Sequence, residues 1–187
     1  MTWYTLFVAA AALIALGERL YCLRNERRML RDGAEEIAPR VFLAMAPVYT
    51  LHFPAAVLEQ WLRGTTPGAP WASAMVVLFI AAKLLKLWAV RHLGDGWTMR
   101  VIVPRDLRVV GGGPYRHLRH PNYVAVIGEI LALPLAGGAW ITACVTAALF
   151  APVLVARIRS EEAALLARPE YAAALGARAR FLPGGRR

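Results

Sequence analysis

Cysteine is almost missing from this chain: Cys22 and Cys144 are its only two, and both lie inside apolar stretches. That excludes a disulfide framework or a zinc-type spacing, and leaves two small buried hydrophobes as the plain reading. Acidic residues are also scarce, twelve against twenty-two Lys and Arg, for a formal net charge of +10. The first apolar run has no basic leader, which favours a retained first helix over a cleaved signal peptide. Long linkers, low-complexity tracts and convincing internal repeats are missing as well, so the expectation is one domain over residues 1–187. What the chain has in abundance is apolar side chain, 58% of its residues, with a mean hydropathy of +0.46. Soluble domains are far more polar. The basic residues sit between the apolar runs and form no domain of their own. The charge therefore points to anionic lipid headgroups and not to nucleic acid.

A helix rises ~1.5 Å per residue, so about 20 apolar residues cross the ~30 Å hydrocarbon layer. Residues 1–17 carry no charged side chain, and the run continues to Leu23 past Glu18 and Arg19. Residues 41–58 are uncharged and are interrupted by His52 and Pro54; between 71 and 90 the only charges are Lys83 and Lys86. Between 122 and 156 the only charge is Glu129, and Pro134, Gly137 and Gly138 break that run in two. The pattern predicts an all-α polytopic membrane protein with five transmembrane helices, the last two a tight hairpin whose first arm is unusually short. Arginines crowd the 24–40 and 91–120 loops and the tail after 156, including Arg186 and Arg187, whereas the 63–70 loop has Arg63 alone. By the positive-inside rule the amino terminus is outside and the carboxyl terminus cytosolic.

The polar residues gather at that inner face. In GGGPYRHLRHPNYVAVIGEI, residues 111–130, Pro121 suits the first turn of a helix, whose free N–H groups favour an anion. Gly111 to Gly113 permit a tight fold or a close approach to a ligand. With Arg116 and Arg119 this forms either a pocket for a carboxylate or phosphate, or a headgroup anchor with Tyr115 and Tyr123 as interfacial aromatics. Glu129, two turns deeper, is costly in a membrane unless paired; it is a functional carboxylate or a partner for Lys83 or Lys86. In RIRSEEAALLARPEY, residues 157–171, Arg157 and Glu161 share a helix face. That segment is either a solvated charged helix or the other wall of one site. His117 and His120 lack further ligands, so no metal site is expected.

The run GPYRHLRHPNY, followed by Arg157-Ile158-Arg159-Ser160-Glu161-Glu162-Ala163-Ala164-Leu165, resembles the isoprenylcysteine carboxyl methyltransferase-like family of integral membrane methyltransferases. Leu93-Gly94, Trp97-Thr98, the RVIVP segment, the string RNERRMLRDGAEE, Tyr171 and the RFLP of residues 180–183 resemble its compact bacterial branch. The resemblance implies S-adenosylmethionine bound on the cytosolic side of a bacterial inner membrane, by roughly residues 91–187. It implies Gly113, Tyr115, Arg119, His120, Pro121, Tyr123, Glu161 and Glu162 as the cofactor-binding residues. Within that set, His120 and the start of the fourth helix would meet the methionine carboxylate. The methyl acceptor would be a lipophilic molecule from the bilayer, reacting at a carboxylate, enol or phenol oxygen of an isoprenoid or polyketide-type lipid. Arg157 would orient it, and Glu129 or Glu161 would serve as base where one is needed. Two other readings stay open: a phospholipid amine N-methyltransferase, and a non-enzymatic membrane anchor or assembly protein. The enzyme reading requires the basic corner before the fourth helix and the acidic stretch after the fifth to meet in one cavity.

Overall fold

The computed structural model describes residues 2–64 and 66–181. Leu182 and Pro183 of the RFLP segment, together with Arg186 and Arg187, lie outside the described residues. The helices are α1 (Trp3–Arg31), α2 (Pro39–Arg63), α3 (Ala69–Leu93), α4 (Pro121–Ala136), α5 (Trp140–Leu166) and α6 (Pro169–Leu175), with strands β1 (Glu35–Ile37) and β2 (Val101–Val103) in the loops. Pro39, Pro121 and Pro169 each open a helix, where a missing N–H costs nothing. Four helices, α1, α2, α3 and α5, are long and apolar enough to cross a membrane. The fifth predicted span is present as α4, but its 16 residues reach only ~24 Å, short of the ~30 Å hydrocarbon layer. The chain is thus mostly helical, with four helices of spanning length where the sequence suggested five.

Two short strands accompany the helices. β1 and β2 pair antiparallel, Glu35 opposite Val103 and Ile37 opposite Val101, and so fasten the α1–α2 loop to the α3–α4 loop. Val101, Ile102 and Val103 are β-branched and buried, as strand residues should be. Three residues are too few to display the alternation by which a strand is read from sequence.

At the end of the bundle away from these strands, small residues admit large neighbours. The Tyr4 ring fills the notch at Gly137, where an added Cβ would come within 2.3 Å of it. The Tyr4 hydroxyl donates to the Leu133 carbonyl at 3.2 Å, and the Trp71 indole donates to the Leu135 carbonyl at 3.0 Å. These bonds tie α1 and α3 to carbonyls in the last turn of α4, where helical partners run out; the Leu135 carbonyl also accepts the Gly138 N–H at 3.1 Å. Glu59 accepts the Ile141 and Thr142 N–H groups at 3.0 and 2.6 Å, capping α5. Tyr4, Val8, Phe53, Phe79 and Leu133 pack together behind them.

Midway along the helices lies a charge cluster. Lys86 reaches Glu18 at 2.9 Å and Glu129 at 2.8 Å, Lys83 reaches the same two carboxylates at 2.9 and 3.1 Å, and Tyr49 donates to Glu129 at 2.8 Å. Two acids and two bases cancel, and the cluster ties α1, α2, α3 and α4 at one level. Glu129 is therefore the lysine partner that the sequence left as one of its two roles. Breaking a buried ion pair strands the surviving charge and costs about 3–5 kcal/mol. Lys86→Ala should accordingly lower the thermal midpoint in detergent sharply, while Arg63→Ala, at an exposed pair, should not. Equal midpoints for the two variants would show that the cluster is not what holds these helices.

Candidate functional site

The site arises from a mismatch in helix length. Turn residues 137–139 join α4, 16 residues long, to α5, 27 residues long. Measured from that turn, α5 overruns the start of α4 by ~16 Å, so its last three turns stand beside the polypeptide that leads into α4. Arg157, Glu161 and Glu162 occupy that overrun.

Glu162, 4% exposed, is the hub. Its carboxylate lies 2.9 Å from His120 Nε2, 3.4 Å from Arg119 and 2.7 Å from Arg180. The tail pairs its backbone here too. The Arg119 N–H donates to the Ala179 carbonyl at 2.9 Å and the His120 N–H to the Arg180 carbonyl at 3.2 Å. One turn along, Arg157 Nε donates to the Tyr123 hydroxyl at 2.6 Å, and that hydroxyl donates to Glu161. The basic corner and the acidic stretch therefore meet, as the enzyme reading required.

A cavity of about 670 Å³ opens beside them. Of the residues singled out from the sequence, Tyr115, Arg119, His120, Tyr123, Arg157 and Glu161 line it, whereas Gly113, Pro121, Glu129 and Glu162 do not. Gly113 serves the packing instead. It sits at φ +55° with the His92 ring where its Cβ would be, 2.4 Å away. Gly113 is thus required by the approach of the His92 side chain. Pro121 begins α4.

Five residues around the cavity carry buried polar atoms without a hydrogen-bond partner: Trp97 Nε1, Arg100 Nε, Arg119 Nε, Asn122 Oδ1 and Arg157 Nη1. Buried polar atoms are rarely left unpaired, so the lining is built for something polar. Four of the five are donors, which suits a ligand rich in oxygen. The opposite wall comes from the α3–α4 loop, which α1 grips. Asn25 donates to the Trp97 carbonyl at 2.9 Å. Glu26, 3% exposed, accepts from Arg19 at 3.0 Å and from the Met99 and Arg100 N–H groups at 3.1 and 3.2 Å. Sequence reasoning overlooked Asn25, Glu26 and Asn122. Asn25 and Glu26, polar residues in the middle of an otherwise continuous helix, were the available signal.

A polytopic helical bundle with a polar cavity at one end, lined by paired basic and acidic motifs, is a membrane protein built to bind a small molecule at its interface. Residues 75–167 match the isoprenylcysteine carboxyl methyltransferase (ICMT) family. The uncharacterized protein YpbQ of Bacillus subtilis is 30% identical over 165 residues, 88% of this chain and 96% of that protein. An uncharacterized protein of Haemophilus influenzae is 24% identical over 165 residues, 86% of this chain and 95% of that one. The chain belongs to the ICMT family of integral membrane methyltransferases, which generally use S-adenosylmethionine. Among the described residues no group of three His, Cys, Asp or Glu side chains could hold a metal.

Burial, with the Glu161 carboxylate adding to it, pushes the Tyr171 phenol up to about 12 from 10.0. Tyr115 is raised in the same direction, again chiefly by burial. Between pH 10 and 12 the folded chain then keeps the Tyr171 proton that the unfolded chain has lost, so stability falls as pH rises through that window. Thermal melts of Tyr171→Phe should show a shallower decline from pH 10 to 12 than wild type. An unchanged slope would assign the decline to other groups.

Proposed function

We propose that this protein transfers a methyl group from S-adenosylmethionine to an oxygen of a lipophilic acceptor that enters from the bilayer. The observation that carries this reading is the set of unpartnered polar atoms around the cavity, at the point where the two family motifs meet. A volume of about 670 Å³ is in the range of small-molecule and cofactor sites. The donor set suits a cofactor with a carboxylate and ribose oxygens, and Asn122 Oδ1 suits an ammonium or amino group. Tyr115, Arg119, His120, Tyr123 and Glu161 would hold it. When bound, S-adenosylmethionine supplies an electrophilic methyl on sulfur.

The chain's own residues fix an anion, offer a base and exclude water. Arg157, 4% exposed, keeps one nitrogen on Tyr123 and has Nη1 free to fix an anionic oxygen. Buried donors of this kind stabilise charge far better than they would in water. Tyr123 links Arg157 to Glu161, so the positions of the two groups are coupled, and Glu161 is the carboxylate available to an acceptor that must lose a proton. An acceptor already ionised needs no base. Val101, Val103, Leu165 and Leu175 complete the lining and exclude water, and alignment of the two reactants supplies several kcal/mol. The excess of donors favours an oxygen acceptor over an amine. The arginine-rich loops supply the orientation, with the cavity on the cytosolic side.

Isothermal calorimetry on detergent-purified protein is the direct test, and failure to bind S-adenosylmethionine at millimolar concentration would leave the anchor reading in its place. His120→Ala and Glu161→Ala should each weaken cofactor binding about tenfold or more, the scale of a hydrogen bond to a charged group, with expression intact. Arg157→Ala should lower turnover about a hundredfold with a smaller effect on cofactor affinity. A wild-type rate would remove Arg157 from the reaction.

A further inference from the structure

Trp97 stands out among the cavity residues because nothing in the two motifs accounts for it. It is 4% exposed, it lines the cavity, and its indole N–H has no partner. An indole N–H is a donor only, so this one calls for an acceptor atom on whatever fills the space. The ring is also held with unusual care. It stacks on Tyr21, centroids 6.0 Å apart and planes 28° apart. The Trp97 carbonyl is bound by Asn25, itself 1% exposed, and the next residues are fixed by Glu26. Three α1 residues thus set the position of one side chain.

Placement decides between the two reactants. The cofactor set, Tyr115, Arg119, His120, Tyr123 and Glu161, comes from the approach to α4, from α4 itself and from the end of α5. Trp97 comes from the opposite side, against α1. Its stacking partner Tyr21 is exposed on α1, on the face that also shows the exposed Ile14 two turns earlier, a surface made for lipid. A ligand touching Trp97 therefore lies where the cavity borders the bilayer, which is where a lipophilic molecule arrives.

We infer that Trp97, positioned by α1 through Tyr21, Asn25 and Glu26, recognises the methyl acceptor by donating its indole N–H to an oxygen of the acceptor's polar head. The inference rests on the methyltransferase reading for the identity of that ligand. It makes α1, which lies outside the segment that matches the family, one wall of the acceptor site.

The chain has six tryptophans, so its indole N–H resonances can be resolved in full-length protein labelled with nitrogen-15 and held in detergent, and Trp97→Phe identifies the one that matters. The probe is a chloroform–methanol extract of Bacillus subtilis membranes, added with S-adenosylhomocysteine already saturating. The Trp97 resonance should move on addition of extract and stay in place with S-adenosylhomocysteine alone. With Asn25→Ala the extract-induced shift should shrink while S-adenosylmethionine affinity holds. In methyl transfer from labelled cofactor, Trp97→Phe should raise the extract concentration for half-maximal rate about tenfold with the cofactor half-saturation unchanged. A resonance that moves equally with S-adenosylhomocysteine alone would move Trp97 to the cofactor half, and one that moves with neither would remove its role; both overturn the inference. A wild-type chain that binds no S-adenosylmethionine would instead sink the methyltransferase reading, and the extract-induced shift would still decide whether Trp97 meets lipid.

Discussion

Glu162 carries a single negative charge at a place where two guanidinium groups and an imidazole converge, and the geometry of the cavity wall follows from that convergence. A carboxylate buried to this degree is expensive unless its oxygens are fully paired. Its partners come from separate pieces of chain: Arg119 and His120 from the approach to α4, and Arg180 from the tail beyond α6. Satisfying one charge thus fixes three segments against the end of α5. Consecutive residues on a helix point ~100° apart, so with Glu162 turned to this hub Glu161 is turned to the cavity. The adjacent pair of glutamates divides its labour by that angle, one holding the wall together and the other facing the ligand space.

Charge is treated differently elsewhere in the bundle. The intramembrane cluster sets two lysines against two glutamates, and each of the four has a partner of opposite charge, although Glu129 Oε1 is buried without a hydrogen bond. Glu26 is enclosed by arginines and backbone N–H groups. Around the cavity, by contrast, donors of Trp97, Arg119 and Arg157 are buried and unmet. The cluster leaves one acceptor oxygen unmet, whereas the cavity gathers several unmet donors in one place, and idle buried donors add nothing to stability. Ligand binding is the use that such donors have.

Much of this was legible in the residues. Long uncharged runs gave the helices of spanning length, Gly137 and Gly138 gave the turn before α5, and the GPYRHLRHPNY and EE motifs gave six of the cavity residues. The errors have physical causes. Four helices have spanning length and the fifth, α4, is apolar yet short, because apolar composition reports burial, whether in lipid or in protein, and does not set helix length. The strands escaped notice because their three-residue length leaves no periodicity to read. At Gly113 a glycine shows only that something comes close, and the structure names one such neighbour as His92. Glu129 kept two roles in the sequence because a carboxylate in an apolar run gives no sign of which way it faces. Asn25 and Glu26 were given no role of their own in the sequence because their partners lie about seventy residues away.

The two walls of the cavity differ in origin, and the difference bears on specificity. One wall is made of the motif residues of α4 and α5, held by the Glu162 hub, and it contains the groups suited to a cofactor whose chemistry is the same for every acceptor. The other is a loop gripped by α1, where the hold on Trp97 comes from Tyr21, Asn25 and Glu26 while the strand beyond it is fastened by β1. Changing those contacts would move Trp97 without disturbing Glu162, Arg119 or His120, since no hydrogen bond or ion pair among the described residues joins the two sets directly. Affinity for a polar acceptor is sensitive to a single misplaced donor. Under the proposed reaction, an architecture of this kind would let the acceptor wall vary while the cofactor wall stays fixed.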